Sequence, residues 1–328
     1  MKTDTRLAVQ QGAALLLAMM TVVLVATLAS AMLWQQWRTT SVETAERQSQ
    51  QAHWLLVGAH DWSRVVMRED SLGSNTDHLG EPWAVPLRDA RLSSFLAATP
   101  AAVAQNTDSL LEQVFLAGDI QDQQARLNVR NLVANGLLVD SEMQAWRRLY
   151  QQLGLPVAAL QVWTDAYRRA LSAPLQEDAP LLPQRVSQLT WLGMPLAHLS
   201  KLTPFITLLP TASPVNINTA SAEVLSAVVP TLALPSARQW VEERQRQPWR
   251  SVEEAKQRMG AAAVVLQPDR HSVQSAYFEV NGRLRFNDIG LRETALIRRQ
   301  GLQTHTVWQE RRPWWSRRSC MSAESSPC

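Results

Sequence analysis

The hydrophobic positions of this chain first run together and then become periodic. From Ala13 to Leu33, 21 residues carry no charge and are nearly all apolar. As a helix rising ~1.5 Å per residue, that run covers ~30 Å, the thickness of a bilayer core. From Thr39 to Met67 the run becomes a stripe. Val42, Ala45, Ala52, Leu55, Leu56, Ala59, Trp62 and Val66 share one helical face, and Glu43, Glu46, Arg47, Gln48 and Gln51 lie opposite. The pattern predicts one long helix, first membrane-spanning and then amphipathic, ended by glycine and asparagine between Ser71 and Gly80. His53 and His60, two turns apart on it, read as surface or boundary histidines, too far apart to share a metal.

Beyond that helix the period changes. Leu111–Asp122 and Ala125–Leu132 carry strand character, the second through alternation of Leu127 and Val129 with Arg126, Asn128 and Arg130, while Ala101–Ser109 is polar and loop-like. Asp140 or Ser141 then caps a helical region lasting to about Met259, which prolines from Pro156 to Pro248 cut into short helices. Its last ends are specific: Thr219 as N-cap of Ala220–Val229, Pro235 opening Ser236–Arg246, and a Ser251–Glu254 capping box before Val252–Met259 with Gly260 as the stop. Strand character returns in Val273–Val280 and Arg283–Asn287, joined by an Asn281-Gly282 hairpin turn, and in Leu291–Arg299 and Thr304–Gln309. The tail from Arg311 reads as disordered. The class is α+β: a long N-terminal helix packed on a small antiparallel sheet, with a large all-α domain inserted between the strands. The expected boundaries are 1–12 for a leader, 13–37 for the spanning helix, 38–134 with 265–310 for the α/β body, 135–264 for the insertion and 311–328 for the tail.

Composition narrows the chemistry. The net charge of +3 is carried almost wholly by arginine, with lysine only at Lys2, Lys201 and Lys256, so no lysine patch announces nucleic acid or anionic lipid. The two cysteines, Cys320 and Cys328, sit in the tail, where a disulfide would close a small loop and stabilise little. No metal-spaced His/Cys set, serine-hydrolase elbow or phosphate loop occurs, and an enzyme is not expected. Lys2 and Arg6 place the leader in the cytoplasm; Trp34, Trp37 and Arg38 form an interfacial belt on the far side, so the body lies outside the cytoplasm. Three readings of the leader compete. Ala29-Ser30-Ala31 offers a signal-peptidase site, although the apolar run extends past it. A plain signal anchor explains the length. A prepilin leader also explains Gly12, a small residue just before the helix, where cleavage would leave Ala13 as the new N-terminus.

At this point the chain resembles a known family, the minor pseudopilin K, or general secretion pathway protein K, of type II secretion systems. The matching words are the Gly12 leader, Glu81-Pro82-Trp83-Ala84, Asp119–Leu132, Pro214–Leu225, Pro235–Ala255 and Tyr277–Gly301. Their order, with an α-domain between two halves of a pseudopilin sheet, makes the match specific. The resemblance implies a single-pass inner-membrane protein with a periplasmic body. The prepilin peptidase would cut it between Gly12 and Ala13 and N-methylate Ala13. It would join the minor pseudopilins I and J, above the major pseudopilin, at the pseudopilus tip, and support pseudopilus initiation and export across the outer membrane. The secreted substrate and the outer-membrane channel are further contacts on this reading. Most pilin-type subunits carry a glutamate at the fifth mature position, pairing with a neighbour's N-terminal amine; here Leu17 stands there. An acid at that depth costs several kcal/mol unpaired, so its absence suits a subunit with no neighbour above. Ala13 itself departs from the bulky Met or Phe usual after the scissile bond. The family's α-domain can bind calcium, and the corresponding acids are Asp165, Glu177 and Asp178. Arg168 and Arg169 stand where further carboxylates are expected, which favours a solvated acidic loop over a site with six to eight oxygen ligands.

The alternative is a membrane-anchored extracytoplasmic DNA-binding protein. Val215–Gly260 resembles a helix-hairpin-helix unit of competence DNA receptors, with Arg238, Arg244, Arg246 and Arg250 as electrostatic contacts. The hairpin from Pro230 to Pro235 has no glycine to bring backbone N–H groups against a phosphate, which weighs against nucleic acid.

Overall fold

The computed structural model describes residues 7–97, 114–171, 179–260, 265–286 and 289–313. They form two compact units that divide between Leu55 and Leu56. Helix α1, Leu7–Gly73, contributes to both.

In the first unit α1 is an exposed apolar rod from Leu15 to Leu33. It contains the one segment among the described residues that is long and apolar enough to cross a membrane. Its few hydroxyls are satisfied internally: Thr21, Thr27 and Ser30 donate to the carbonyls of Ala18, Leu24 and Ala26 at 2.8 Å each. No side-chain polar group of that stretch therefore needs water. The helix already includes Leu7–Gly12, ahead of the apolar run. Nothing between Leu7 and Gln11 breaks it, and one interior glycine costs only ~1 kcal/mol.

The second unit runs in the order β1 (Leu87–Arg91), α2 (Leu92–Ala97), β2 (Val114–Asp122), the two-residue strands β3 (Leu127–Asn128), β4 (Val133–Ala134) and β5 (Leu137–Leu138), α3 (Asp140–Gln152), α4 (Val157–Leu171), α5 (Leu196–Leu202), β6 (Ile206–Thr207), β7 (Val215–Asn216), α6 (Ala222–Val228), α7 (Leu234–Arg246), α8 (Val252–Met259), β8 (His271–Ser272), β9 (Tyr277–Phe286), β10 (Ile289–Gln300) and β11 (Gln303–Pro313). Strands from both sides of the helical region join in one antiparallel sheet of order β1-β2-β9-β10-β11. One sheet face packs on α1, where Met67, Trp83, Phe278, Val280, Ala295 and Ile297 cluster. The helical domain has its own core around Trp146, Trp163 and Trp249, with Trp146 edge-on to Trp163 at 5.1 Å. Trp163 Nε1 donates to the Tyr150 hydroxyl at 2.8 Å.

Several elements differ from expectation. Asn281-Gly282 is not a turn, because β9 runs straight through it. Gly282 lies where α1 comes closest: a Cβ there would stand 3.2 Å from Leu56 Cδ2, and its cross-strand partner Gly118 would push a Cβ to 2.7 Å from the Asn281 carbonyl oxygen. Gly282 lets the sheet approach α1, and Gly118 leaves room for the Asn281 carbonyl of the neighbouring strand. Ala125–Leu132 is not a strand; it is two 3-10 turns about the short β3. Asp122 and Asn128 cap those turns by accepting from the backbone N–H groups of Gln124 and Arg130. The N-cap of α6 is Ser221, not Thr219. The Ser251 cap of α8 is as expected, while Glu254 reaches back to the Arg250 N–H. Arg311–Pro313 belong to β11 instead of the tail. Position 101–109, the tail from 314 and both cysteines lie outside the described residues.

Candidate functional site

Where the helical domain meets the sheet, a buried polar junction is built around Asp122 at the end of β2. Its side chain is excluded from water, so each of its oxygens needs a donor. Oδ1 accepts from the Gln124 N–H at 2.7 Å. Oδ2 accepts from Asn216 Nδ2 at 3.1 Å, Thr219 Oγ1 at 2.5 Å and Ser275 Oγ at 2.6 Å. Thr219 was expected to cap a helix and instead ties the inserted domain to the sheet. Burial pushes the Asp122 carboxyl up to about 6, opposed by the Ser275 and Thr219 hydroxyls.

The network spreads from there. Asn216 Nδ2 also donates to the Asp77 carbonyl and Ser275 Oγ. The Ser275 N–H donates to Asp77 Oδ2 at 2.7 Å. Arg299 on β10 bridges Asp70 Oδ2, at 2.9 Å, and Asp77 Oδ1. One buried net therefore joins the end of α1, the following loop, β2, β7 and β10.

Beside it, the 3-10 segment after β2 reads the segment before α6 group by group. Gln124 Nε2 donates to the Pro214 carbonyl, and Gln124 Oε1 accepts from the Ala276 N–H. Asn128 donates to the Thr211 carbonyl and Ser213 Oγ and accepts from the Leu209 N–H. Asn131 both donates to and accepts from the Ser213 backbone. Farther into the helical domain, Asn218 pairs in both directions with the Trp249 backbone, and buried Arg244 donates to the Ile217 carbonyl. Burial brings Arg244 down to about 10, with Asp122 as the opposing charge. Three of the sequence words behind the resemblance, Asp119–Leu132, Pro214–Leu225 and Pro235–Ala255, meet here, since side chains in one word bond groups in another.

A second buried carboxylate, Glu293 on β10, faces α1. It accepts from Gln309 Nε2 at 2.5 Å and from Arg311 Nε and Nη2 at 2.8 and 2.7 Å. His60 Nε2 lies 3.2 Å away. His60, expected at the surface or its boundary, is thus buried between helix and sheet, and burial lowers its pKa against the pull of Glu293. His53 is half-buried.

The predicted site residues are scattered. Gly12, Ala13 and Leu17 lie within α1, with Leu17 64% exposed. Asp165 is half-exposed on α4 and accepts from Gln161 Nε2, while Glu177 and Asp178 fall outside the described residues. Among the described residues the carboxylates that converge are Asp70, Asp77 and Glu81. Arg299 already bridges two of them, and Glu81 Oε2 is held by the His78 N–H and Trp83 Nε1. Of the four arginines considered for DNA, Arg244 is buried in the junction.

The family model described as "Type II secretion system (T2SS), protein K" matches residues 215–274, which carry Asn216, Asn218, Thr219, Arg244 and Trp249. Type II secretion system protein K of Pseudomonas aeruginosa is 27% identical over 244 residues, covering 67% of this chain and 68% of that protein. Over about two thirds of its length or more, the chain is similar to protein K of type II secretion systems. The Klebsiella pneumoniae protein K is 27% identical over 272 residues, covering 74% of this chain and 78% of its own length. The fold likewise resembles a chain in the crystal structure of the GspK-GspI-GspJ complex from enterotoxigenic Escherichia coli, with a TM-score of 0.62 and 19% identity over 83% of this chain and 99% of that one. Family and fold favour a minor pseudopilin over the DNA-binding alternative.

Proposed function

We propose that this protein is a minor pseudopilin that works by assembly, not catalysis, at the tip of the type II secretion pseudopilus. The observation that carries the reading is the junction: the segment matched by the protein K family is hydrogen-bonded into a sheet packed on a long N-terminal helix. A single pass by α1, with Lys2 and Arg6 cytoplasmic, would leave the body in the periplasm. The prepilin peptidase would cleave between Gly12 and Ala13 and N-methylate Ala13, and helix packing in the bilayer would then drive association. Minor pseudopilins I and J are the partners, as the complex of the structural relative suggests. The apolar Leu17, lacking the carboxylate a neighbour above would neutralise, supports the terminal position. The test is co-purification of the detergent-extracted full chain with minor pseudopilins I and J of the same system. A stable complex is expected; recovery of the chain alone, under conditions in which I and J still pair with each other, overturns the reading.

A further inference from the structure

The sheet face turned away from α1 is divided in two. At one end Tyr277, Leu296 and Trp308 are covered by Leu209 of the helical domain, and Arg185 stacks on Trp308 at 3.5 Å. At the other end the strand registers place arginines side by side. Arg283 on β9 is directly opposite Arg292 on β10, which is directly opposite Arg312 on β11. Two residues along, Arg285 lies over the Phe115 ring at 4.2 Å, and Arg91 on β1 is opposite Phe115. All five belong to the face opposite Gly282, which meets α1.

Like charges directly opposite each other across a sheet are destabilising, and here three stand abreast at the ~4.8 Å strand spacing. Compensation among the described residues is slight. Arg312 pairs with Glu310 at 2.6 Å, and nearby Asp119 is engaged by Gln121 and Asn281. Among the described residues Arg91, Arg283, Arg285 and Arg292 form no ion pair. The fold thus keeps an arrangement that costs stability, and a partner's negative charge would repay it.

We propose that this arginine face is a docking surface for a protein carrying a row of carboxylates. Guanidinium forks bind carboxylates bidentately, and rows at strand spacing match acidic side chains on a strand or helix. The face suits nucleic acid poorly, because the one aromatic ring among the described residues at its arginine end, Phe115, is already stacked under Arg285 and offers no platform for a base.

The test uses the full chain in detergent, with poly-L-glutamate as the probe and duplex DNA and phosphatidylglycerol vesicles as competing probes at the same salt. Arg283→Gln with Arg292→Gln is the test variant, and Arg238→Gln with Arg246→Gln on exposed positions of α7 is the charge-matched control; thermal unfolding checks that both fold. The expected result is affinity for polyglutamate weaker by on the order of tenfold in the test variant, wild-type affinity in the control, and a salt dependence that flattens only in the test variant. Equal losses in both variants, or no loss in the test variant, would overturn the proposal. Tighter binding of DNA or vesicles through Arg283 and Arg292 would overturn it too, by assigning the face to another class of partner.

Discussion

Asp122 and Glu293 are both carboxylates sealed inside the second unit, yet they are held in opposite ways. Asp122 is caged by neutral donors, one backbone N–H, one amide and two hydroxyls, drawn from segments 97 and 153 residues away as well as from its own turn. Glu293 is met by the charged Arg311 and by Gln309 from the adjacent strand, with His60 of α1 beyond. A neutral cage gives directional bonds from many segments, so it fixes how the inserted domain sits on the sheet. A charge pair with a neighbouring strand holds little beyond that strand and the helix over it.

The largest effect expected follows from the cage. Asp122→Ala takes the acceptor from the Gln124 N–H and from the Thr219 and Ser275 hydroxyls, while Asn216 keeps the Asp77 carbonyl, and each buried unsatisfied group costs ~1–3 kcal/mol, so a loss of about 3 kcal/mol or more is expected in chemical denaturation. If the loss were no larger than that of Glu293→Gln, the contrast would fail. Glu293→Gln keeps an acceptor, and Arg311, with 35% of its side chain exposed, can turn to water. A loss of about 1–2 kcal/mol is expected there. The same variant removes the anion that raises the His60 pKa, so His60 should titrate still lower by NMR.

The two sites also carry opposite pH dependence. Asp122 titrates at about 6 when folded, above its ordinary 3.8, so the folded state holds more protons between those values. Its contribution to stability is therefore present at low pH and falls as pH rises from about 4 to about 6. His60 is lowered by burial, and His271 is pushed down to about 4, so their contributions are lost as pH falls below 6.5. Asp122→Asn should abolish the first slope and leave the second, as read from urea midpoints across this range. Smallest of all is the response to calcium. With Asp165 bonded to Gln161 and flanked by Arg168 and Arg169, chelation is expected to leave the unfolding temperature unchanged; a clear rise on adding calcium would mean that Asp165, Glu177 and Asp178 do hold it.

Sequence pattern revealed the frame of this molecule and missed its joints. The long helix, the inserted helical domain, the return of strands and the α8 cap were legible because each is a local signal of period or capping. Asn281-Gly282 misled because the strongest short turn signal also suits a strand that a helix crosses closely, and only the Gly118 partner opposite distinguishes the two. Ala125–Leu132 alternates in polarity without being a strand, because Asn128 and Asn131 bind the 209–213 segment inside the protein. Thr219, His60 and Arg244 look like a cap, a surface or boundary residue and a solvated or DNA-facing one until Asp122, Glu293 and the Ile217 carbonyl come beside them. The charged β1 carried no strand signal. What the sequence could mark was the set of words that meet at the junction, although not what they bind.

The central claim is that this chain enters the membrane as a pilin-type subunit, and it is tested most directly at the N-terminus. Mass spectrometry of the membrane-extracted protein, from cells with and without the prepilin peptidase, should show N-methylated Ala13 only when the peptidase is present. A chain starting at Met32, or an uncleaved Met1 in both strains, would contradict the account.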